Sequence, residues 1–62
     1  MKNRLGLVLI AEDMTQNELA RKIYVKPQTV SHYVRGHRMP TIEMALKIAK
    51  ALGVKVEDIW EV

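Results

Sequence analysis

The sequence predicts an all-α fold, a compact bundle of five short helices in a single domain that spans residues 1–62. Three observations support this prediction. Gly (3) and Pro (2) are scarce among the 62 residues. β-Branched runs are short, whereas apolar residues recur at helical spacing. Signals that start and stop helices alternate along the chain with short connections between them, which is typical of a small bundle with low contact order.

The first two helices are predicted from their end signals. Asn3 can cap a first helix that runs to about Glu12, and Asp13 can end it in a left-handed conformation. The segment Thr15-Gln16-Asn17-Glu18 is a capping box, in which Thr15 accepts from the Glu18 amide and Glu18 reaches back. We therefore expect a second helix from this box to about Ile23.

The remaining helices have equally clear boundaries. After the connection Tyr24-Val25-Lys26, Pro27 fits the first turn of a third helix, where its missing N–H costs nothing. Gly36 ends that helix, a loop follows to Pro40, and Thr41 caps the fourth helix, which Gly53 stops. We expect a broad buried stripe on the fourth helix, and a last short helix after it. The stripe consists of Ile42, Ala45, Leu46, Ile48, Ala49 and Leu52, and the last helix runs from Val56 to Trp60.

Length and composition exclude several classes of protein. A chain of 62 residues with no cysteine has no disulfide or cysteine-ligated zinc to stabilise it, so it depends on local packing or on a partner. A deep substrate pocket of about 300–1,000 Å³ is a poor fit to so small a domain. We therefore expect no enzyme activity, no cofactor and no small-molecule ligand.

The first eleven residues resemble the start of a signal peptide, because a charged segment precedes a short apolar run. The run is of minimal length, lacks a small-residue cleavage site and is followed at once by Glu12-Asp13, so we interpret it as a helix. No stretch approaches the roughly 20 apolar residues of a membrane span. Together with the lack of cysteine, this favours a cytoplasmic protein.

The charge of the chain is unevenly distributed. The net charge is +3, but residues 1–38 contain seven basic and three acidic side chains, whereas residues 39–62 contain three basic and four acidic ones. A basic surface concentrated in one part of a small protein suggests a polyanionic partner. A merely soluble basic surface explains the charge alone equally well.

The predicted third helix has two distinct faces, and its outer face is the strongest functional signal in the sequence. Val30, Tyr33 and Val34 lie at helical spacing and are expected to face inward, against the second helix. The opposite face contains Gln28, Ser31, His32 and Arg35, and no acidic residue occurs from Val25 to Pro40. Such a surface can approach phosphates without repulsion, and Gln can pair with adenine in the major groove.

The order of these elements makes residues 15–35 a helix-turn-helix. The matching residues extend beyond it and include Thr15-Gln16-Asn17-Glu18-Leu19-Ala20, Val25, Thr29-Val30-Ser31, Gly36, Pro40-Thr41 and Lys47-Ile48-Ala49-Lys50-Ala51-Leu52-Gly53-Val54. On these residues the chain resembles the lambda-repressor-like, Xre-type DNA-binding domains along nearly its whole length. The resemblance implies a five-helix domain that binds operator DNA, usually as a homodimer, and usually represses transcription.

The resemblance also implies roles for particular residues. The base-reading side of the third helix corresponds to Pro27, Gln28, Ser31 and His32. Gln16, at the start of the second helix, takes the position that typically holds a phosphate. Contacts with the DNA backbone are implied for Arg35, His37 and Arg38, and Lys26 adds a cation beside the DNA.

The chain departs from the family pattern at several positions. Tyr24 stands where the turn usually has a left-handed Gly, so the turn is expected to be either strained or altered in conformation. Lys26 replaces the usual Ser or Thr cap of the third helix. Leu9 and Val34 replace an Arg and a Glu that often pair, and we expect these two aliphatic side chains to touch and to be buried. Pro27 can offer a base only apolar contact.

A homodimer is expected because one recognition helix reads few bases and because so short a domain is marginal alone. The predicted interface consists of Ile59, Trp60 and Val62 at the carboxyl end, with Leu7 and Ile10 of the first helix as a second choice. Trp60 could lie either at the rim of the core or in an interface, and Trp is enriched at the centres of interfaces.

Two other interpretations were compared with DNA binding. The main alternative is a protein-binding module of the same fold, such as an antitoxin or an adaptor. A zinc site is disfavoured, because His32 and His37 are poorly spaced as ligands and no other ligand lies nearby in the sequence. We expect neither metal nor membrane partners.

Overall fold

The computed structural model describes residues 1–62, which form five α-helices and one two-stranded sheet. The elements, in chain order, are β1 (Lys2–Asn3), α1 (Leu5–Ala11), α2 (Gln16–Lys22), α3 (Pro27–Arg35), α4 (Ile42–Leu52), α5 (Val56–Ile59) and β2 (Trp60–Glu61). The helical prediction is confirmed. None of the helices has both the length and the apolar character that a membrane crossing needs.

The sheet joins the two ends of the chain and was not predicted. β1 and β2 run antiparallel, with Lys2 opposite Glu61 and Asn3 opposite Trp60. The Arg4 amide donates to the carbonyl of Ile59 at 2.7 Å, and the Arg4 guanidinium pairs with Glu61. Two-residue strands are too short to show a period in the sequence, which is why only helices were expected there.

Two boundary predictions are corrected by this sheet. The last helix ends at Ile59, and Trp60 is already extended, so the helix does not reach Trp60. Asn3 lies in β1, and Arg4 takes the cap position of α1. The Asn3 side chain nevertheless accepts a hydrogen bond from the Leu5 amide at 3.0 Å, and it donates to the carbonyl of Tyr33 at 2.7 Å. It therefore fixes the start of α1 against the end of α3.

The other predicted helix ends are confirmed. Thr15 and Glu18 form the reciprocal capping box of α2, and Thr41 accepts from the Met44 amide at the start of α4. Gly36 and Gly53 end α3 and α4 in the left-handed conformation. The left-handed stop at Asp13, with φ of 55°, is also present.

The core contains thirteen buried residues contributed by every helix and by β2. Val30 and Tyr33 of α3 are buried as expected, and they pack in the core with the buried side chains of Leu19, Ala20 and Ile23. Leu9 is buried, but Val34 is only half-buried, so the predicted burial of that pair is correct for one member. Val34 packs beside Gly6, where an added Cβ would lie 3.4 Å from its Cγ1.

The stripe on α4 is narrower than predicted. Ala45, Ile48, Ala49 and Leu52 are buried, whereas Ile42 is 82% exposed and Leu46 is 57% exposed. The difference arises because α4 packs mainly against α2 and α5, which leaves its other side open. α2 packs against both α3 and α4, whereas α3 and α4 contact each other little.

Candidate nucleic-acid interface

The outer face of α3 carries polar side chains that the fold does not use for hydrogen bonds or ion pairs. Gln28 and Arg35 are exposed, and Ser31 and His32 are half-buried. None of the four side chains makes a hydrogen bond or an ion pair within the chain. The residues that hold α3 in place, Val30 and Tyr33, lie on the opposite face and are buried. The helix is therefore fixed by one side and leaves the other able to bind a ligand.

The amino end of α3 lacks a side-chain cap. Lys26 occupies the cap position in extended conformation and makes no capping hydrogen bond, and Pro27 is the first helical residue. Both side chains are exposed. The positive end of the helix dipole and a lysine are therefore adjacent at the start of α3, and both favour an anion there.

Gln16 is the first residue of α2 and is exposed. It lines a shallow groove with Ile10 of α1 and Val34 of α3, so the structure places it beside the carboxyl half of α3. Gln16 lies within the capping box that Thr15 and Glu18 form at the start of α2. The Thr15 backbone amide donates to the Glu18 carboxylate at 3.1 Å, and this bond, followed by the Thr15 side chain, lowers the pKa of Glu18. The negative charge of Glu18 is thereby held at the amino end of α2, where it is favourable.

The loop after α3 carries His37 and Arg38, and both are exposed. The His37 ring stacks on the His32 ring, with centroids 6.1 Å apart and an interplanar angle of 23°. The His37 amide also donates to the carbonyl of His32 at 3.0 Å. These contacts bring His37 against α3, a proximity that the sequence spacing alone did not reveal. No group of three potential metal ligands is found in the structure.

The turn between α2 and α3 keeps a left-handed residue at Tyr24, so of the two expected outcomes the turn is strained rather than altered. Tyr24 has φ of 59° and its side chain is 94% exposed. A bulky residue in this region of φ is strained, and the exposed ring gains no burial in the chain to compensate. The turn nevertheless keeps its geometry, because the Val25 amide donates to the carbonyl of Ala20 at 3.0 Å.

The residues predicted for a dimer interface do not form one surface. Ile59 is completely buried and Trp60 is 7% exposed, because β2 and α5 fold them into the core of the chain. The prediction that Ile59 and Trp60 form the interface with a second copy of the chain is therefore wrong. Leu7 is 68% exposed and Ile10 is 78% exposed on α1, and Val62 is fully exposed at the end of the chain. These three side chains remain available for contact with a second copy of the chain.

A basic cleft, which no pattern in the sequence indicated, lies on the side of α2 that packs against α4. Lys22, Tyr24, Lys47 and Lys50 surround it, and Ile23 and Ala51 contribute its apolar lining. Lys47 and Lys50 are three residues apart on α4, which is visible in the sequence as one helical face. That Lys22 and Tyr24 join them depends on how α2 packs on α4, and no local pattern indicates it.

The comparisons with known proteins agree with this geometry. A helix-turn-helix family model matches residues 7–59. The chain belongs to this helix-turn-helix family. It is 42% identical over 60 residues to an uncharacterized HTH-type transcriptional regulator of Methanocaldococcus jannaschii, covering 97% of this chain and 91% of that protein. A crystal structure of a candidate DNA-binding protein from Bacteroides fragilis superposes with a TM-score of 0.88 at 26% identity, over 92% of each chain.

A further similarity involves a longer protein. Multiprotein-bridging factor 1 of Candida albicans is 40% identical over 43 residues, which are 69% of this chain but only 28% of that protein. The helix-turn-helix family confirms the predicted fold and the predicted resemblance. It is a DNA-binding, regulatory class rather than a class of enzymes, which agrees with the expectation of no enzyme activity.

Proposed function

We propose that this helix-turn-helix protein is a transcriptional repressor that recognises a palindromic double-stranded operator by placing α3 in the major groove. The observation that carries the proposal is the outer face of α3. It combines exposed or half-buried polar side chains that make no hydrogen bond within the chain with a complete lack of acidic residues from Val25 to Pro40. An ordinary solvated helix face is rich in Glu and Lys.

The base-reading roles are assigned to the amino half and middle of α3. Gln28 has donor and acceptor groups for adenine N6 and N7, and Ser31 and His32 have shorter polar groups for neighbouring bases. Pro27 has no donor, so its contact is apolar, with the methyl group of a thymine.

The phosphate-binding roles are assigned to the residues around that surface. Lys26 lies at the uncapped amino end of α3, where the helix dipole adds to the attraction, and Gln16 is the first residue of α2. Arg35, His37 and Arg38 lie at the other end of α3 and in the loop after it. Contacts of this kind fix position and orientation, and they carry no sequence information themselves.

A homodimer is part of the proposal, since one recognition helix reads too few bases to define a site. Two copies related by a twofold axis place their recognition helices about 34–36 Å apart, one turn of DNA. We assign the contact to Leu7 and Ile10, with Val62 as a further exposed apolar residue. A dimer surface of this kind is apolar, and both α1 side chains are exposed in the single chain.

The experiment that tests DNA binding is a titration of duplex DNA at increasing salt. We expect the logarithm of the binding constant to fall linearly with the logarithm of the salt concentration, because bound phosphates release counterions. The variant Lys26→Gln should reduce the slope, and Lys55→Gln, which removes an equal charge from the start of α5, should leave it unchanged. A protein that shows no affinity for duplex DNA at low salt would contradict the proposal.

The alternative is a protein-binding adaptor or antitoxin of the same fold. Similarity to a multiprotein-bridging factor, whose name indicates contact with other proteins, favours this alternative. So does the number of large apolar side chains left exposed, which include Ile42 and Leu46 in addition to Leu7 and Ile10. An adaptor would bind DNA through its charge alone, whereas an operator-binding protein would prefer one sequence over others of equal length.

A further inference from the structure

The cleft between α2 and α4 has an electrostatic character of its own. Three ammonium groups surround it, those of Lys22, Lys47 and Lys50, and no acidic residue lines it. The carboxylate nearest to this set is that of Glu43, which lies 3.7 Å from the Lys47 ammonium in an exposed pair. The Glu18 carboxylate, one helical turn before Lys22, is bound to the Thr15 amide. Glu43 therefore pairs with Lys47 and Glu18 attracts Lys22, whereas Lys50 has no ion-pair partner, so the cleft keeps an excess of positive charge.

The cleft also has apolar surface within this ring of charge. Ile23 and Ala51 contribute to its lining, and its volume is about 330 Å³. Tyr24 stands at the rim, 94% exposed, in a left-handed conformation that costs conformational free energy. The turn requires this left-handed conformation, but nothing in the chain requires a tyrosine there instead of an unstrained glycine, which suggests that the ring has a role in binding. Tyrosine combines a large apolar surface with few rotatable bonds and is enriched at protein interfaces.

The position of the cleft separates it from the proposed DNA surface. Gln16 is at the amino end of α2 and Lys22 is at the carboxyl end, roughly 9 Å further along the helix axis at about 1.5 Å per residue. α4, which contributes the other wall, packs on α2 and contacts α3 little. No residue of the outer face of α3 lines the cleft, although Tyr24 at its rim is only two residues from Lys26 of the proposed DNA surface.

We propose that this cleft binds an acidic segment of another protein, in which carboxylates alternate with apolar side chains. The carboxylates would pair with Lys22, Lys47 and Lys50, and an apolar side chain would enter between Ile23 and Ala51 and contact Tyr24. DNA is the less suitable occupant, because a phosphate backbone offers nothing to cover the apolar lining. The proposal does not depend on operator recognition, and it gives this chain a second surface for a regulatory partner.

The test uses two short fluorescein-labelled peptides and fluorescence anisotropy at physiological salt. In one peptide Glu alternates with Leu, and in the other Glu alternates with Ser, so that both carry the same charge. We expect the Glu–Leu peptide to bind about tenfold more tightly, which corresponds to about 1.4 kcal/mol. No binding of the Glu–Leu peptide, or equal binding of the two peptides, would overturn the proposal.

Variants locate the binding site. Tyr24→Gly removes the ring and suits the left-handed turn, so the domain should remain folded while the Glu–Leu peptide loses about tenfold in affinity. Tyr24→Phe should bind like the parent protein. Lys47→Gln combined with Lys50→Gln should also weaken the peptide, and the matched pair Arg35→Gln with Arg38→Gln, on the DNA surface, should not.

Duplex DNA gives the decisive comparison in the same set of variants. Excess duplex should leave the Glu–Leu peptide bound, and the Lys47 and Lys50 substitutions should change DNA affinity much less than peptide affinity. If DNA displaces the peptide, or if the Arg35 and Arg38 substitutions lower the peptide affinity most, the peptide occupies the DNA surface and the proposal is wrong. If the Lys47 and Lys50 substitutions lower the affinity for DNA as much as the affinity for the peptide, the cleft is a nucleic-acid contact instead.

Discussion

Tyr24 is the residue whose conformation is least suited to its side chain. Its φ of 59° is in the left-handed region, which costs an L-residue about 1–2 kcal/mol. We predict that Tyr24→Gly raises the free energy of unfolding by about 0.5–1 kcal/mol, since glycine removes the strain but has more freedom in the unfolded chain. Urea denaturation monitored by circular dichroism measures the change. Asp13→Gly is the matched control, because aspartate tolerates its φ of 55° better and should gain less.

Gln28 is the residue on which base recognition depends most in the proposed function. Gln28→Ala should cost about 1–3 kcal/mol on the preferred site and relax the preference at one position of it. Arg38→Ala should weaken binding to all sequences to a similar extent and reduce the salt dependence, because a phosphate contact carries no sequence information. Affinities for the preferred duplex and for its single-base variants distinguish the two effects. A Gln28→Ala protein with unchanged preference would show that α3 does not read bases through this residue.

The capping box of α2 connects helix stability to pH at the scale of an element. Hydrogen bonds from Thr15 lower the pKa of Glu18 in the folded protein, so the ionised form contributes stability above the ordinary pKa of a glutamate. That contribution is lost as the pH falls through the lowered, folded-state pKa. We predict that Glu18→Gln lowers the melting temperature at neutral pH, and that the difference from the parent protein disappears in acid. Glu12→Gln, whose carboxylate makes no hydrogen bond, should show no such convergence.

The elements were predictable wherever the signal was local. The capping box at Thr15, the cap at Thr41 and the glycines that end α3 and α4 each depend on neighbouring residues, and the structure confirms them. The pairing of β1 with β2 depends on residues almost sixty positions apart, so it gave no signal. Exposure on α4 was also misjudged, because Ile42 and Leu46 satisfy helical spacing but the packing partner is too narrow to cover them.

The same distinction holds for the candidate site. The outer face of α3 follows from spacing within one helix, so Gln28, Ser31, His32 and Arg35 could be assigned to it in advance. The stacking of His37 on His32 and the clustering of Lys22 with Lys47 and Lys50 require the tertiary fold. The burial of Trp60 was missed for that reason, since its cover comes from the other end of the chain.

At the scale of the whole molecule, core stability and dimer formation are expected to depend on different residues. Trp60→Ala removes a buried aromatic ring and should destabilise the single domain by about 3–5 kcal/mol. Leu7→Ser combined with Ile10→Ser should leave the domain folded and shift the dimer toward monomer, because both side chains are exposed. Sedimentation at micromolar concentration should show twice the mass of 7.1 kDa for the parent protein and close to that mass for the double variant.

The control for that measurement is Ile42→Ser combined with Leu46→Ser, which alters an equally exposed apolar pair on α4. This variant should sediment like the parent protein. If it becomes monomeric while the α1 variant stays dimeric, the dimer forms through α4 and the assignment to Leu7 and Ile10 is wrong. A parent protein that is monomeric both alone and on DNA would contradict the dimer itself.

The central claim is that α3 reads a symmetric operator, and selection of bound sequences from random DNA duplexes tests it most directly. The account predicts a palindromic consensus with half-sites about 34–36 Å apart between centres, and loss of preference at one position per half-site when the selection is repeated with Gln28→Ala. Duplexes recovered without any shared sequence, or an identical consensus from both proteins, would contradict it.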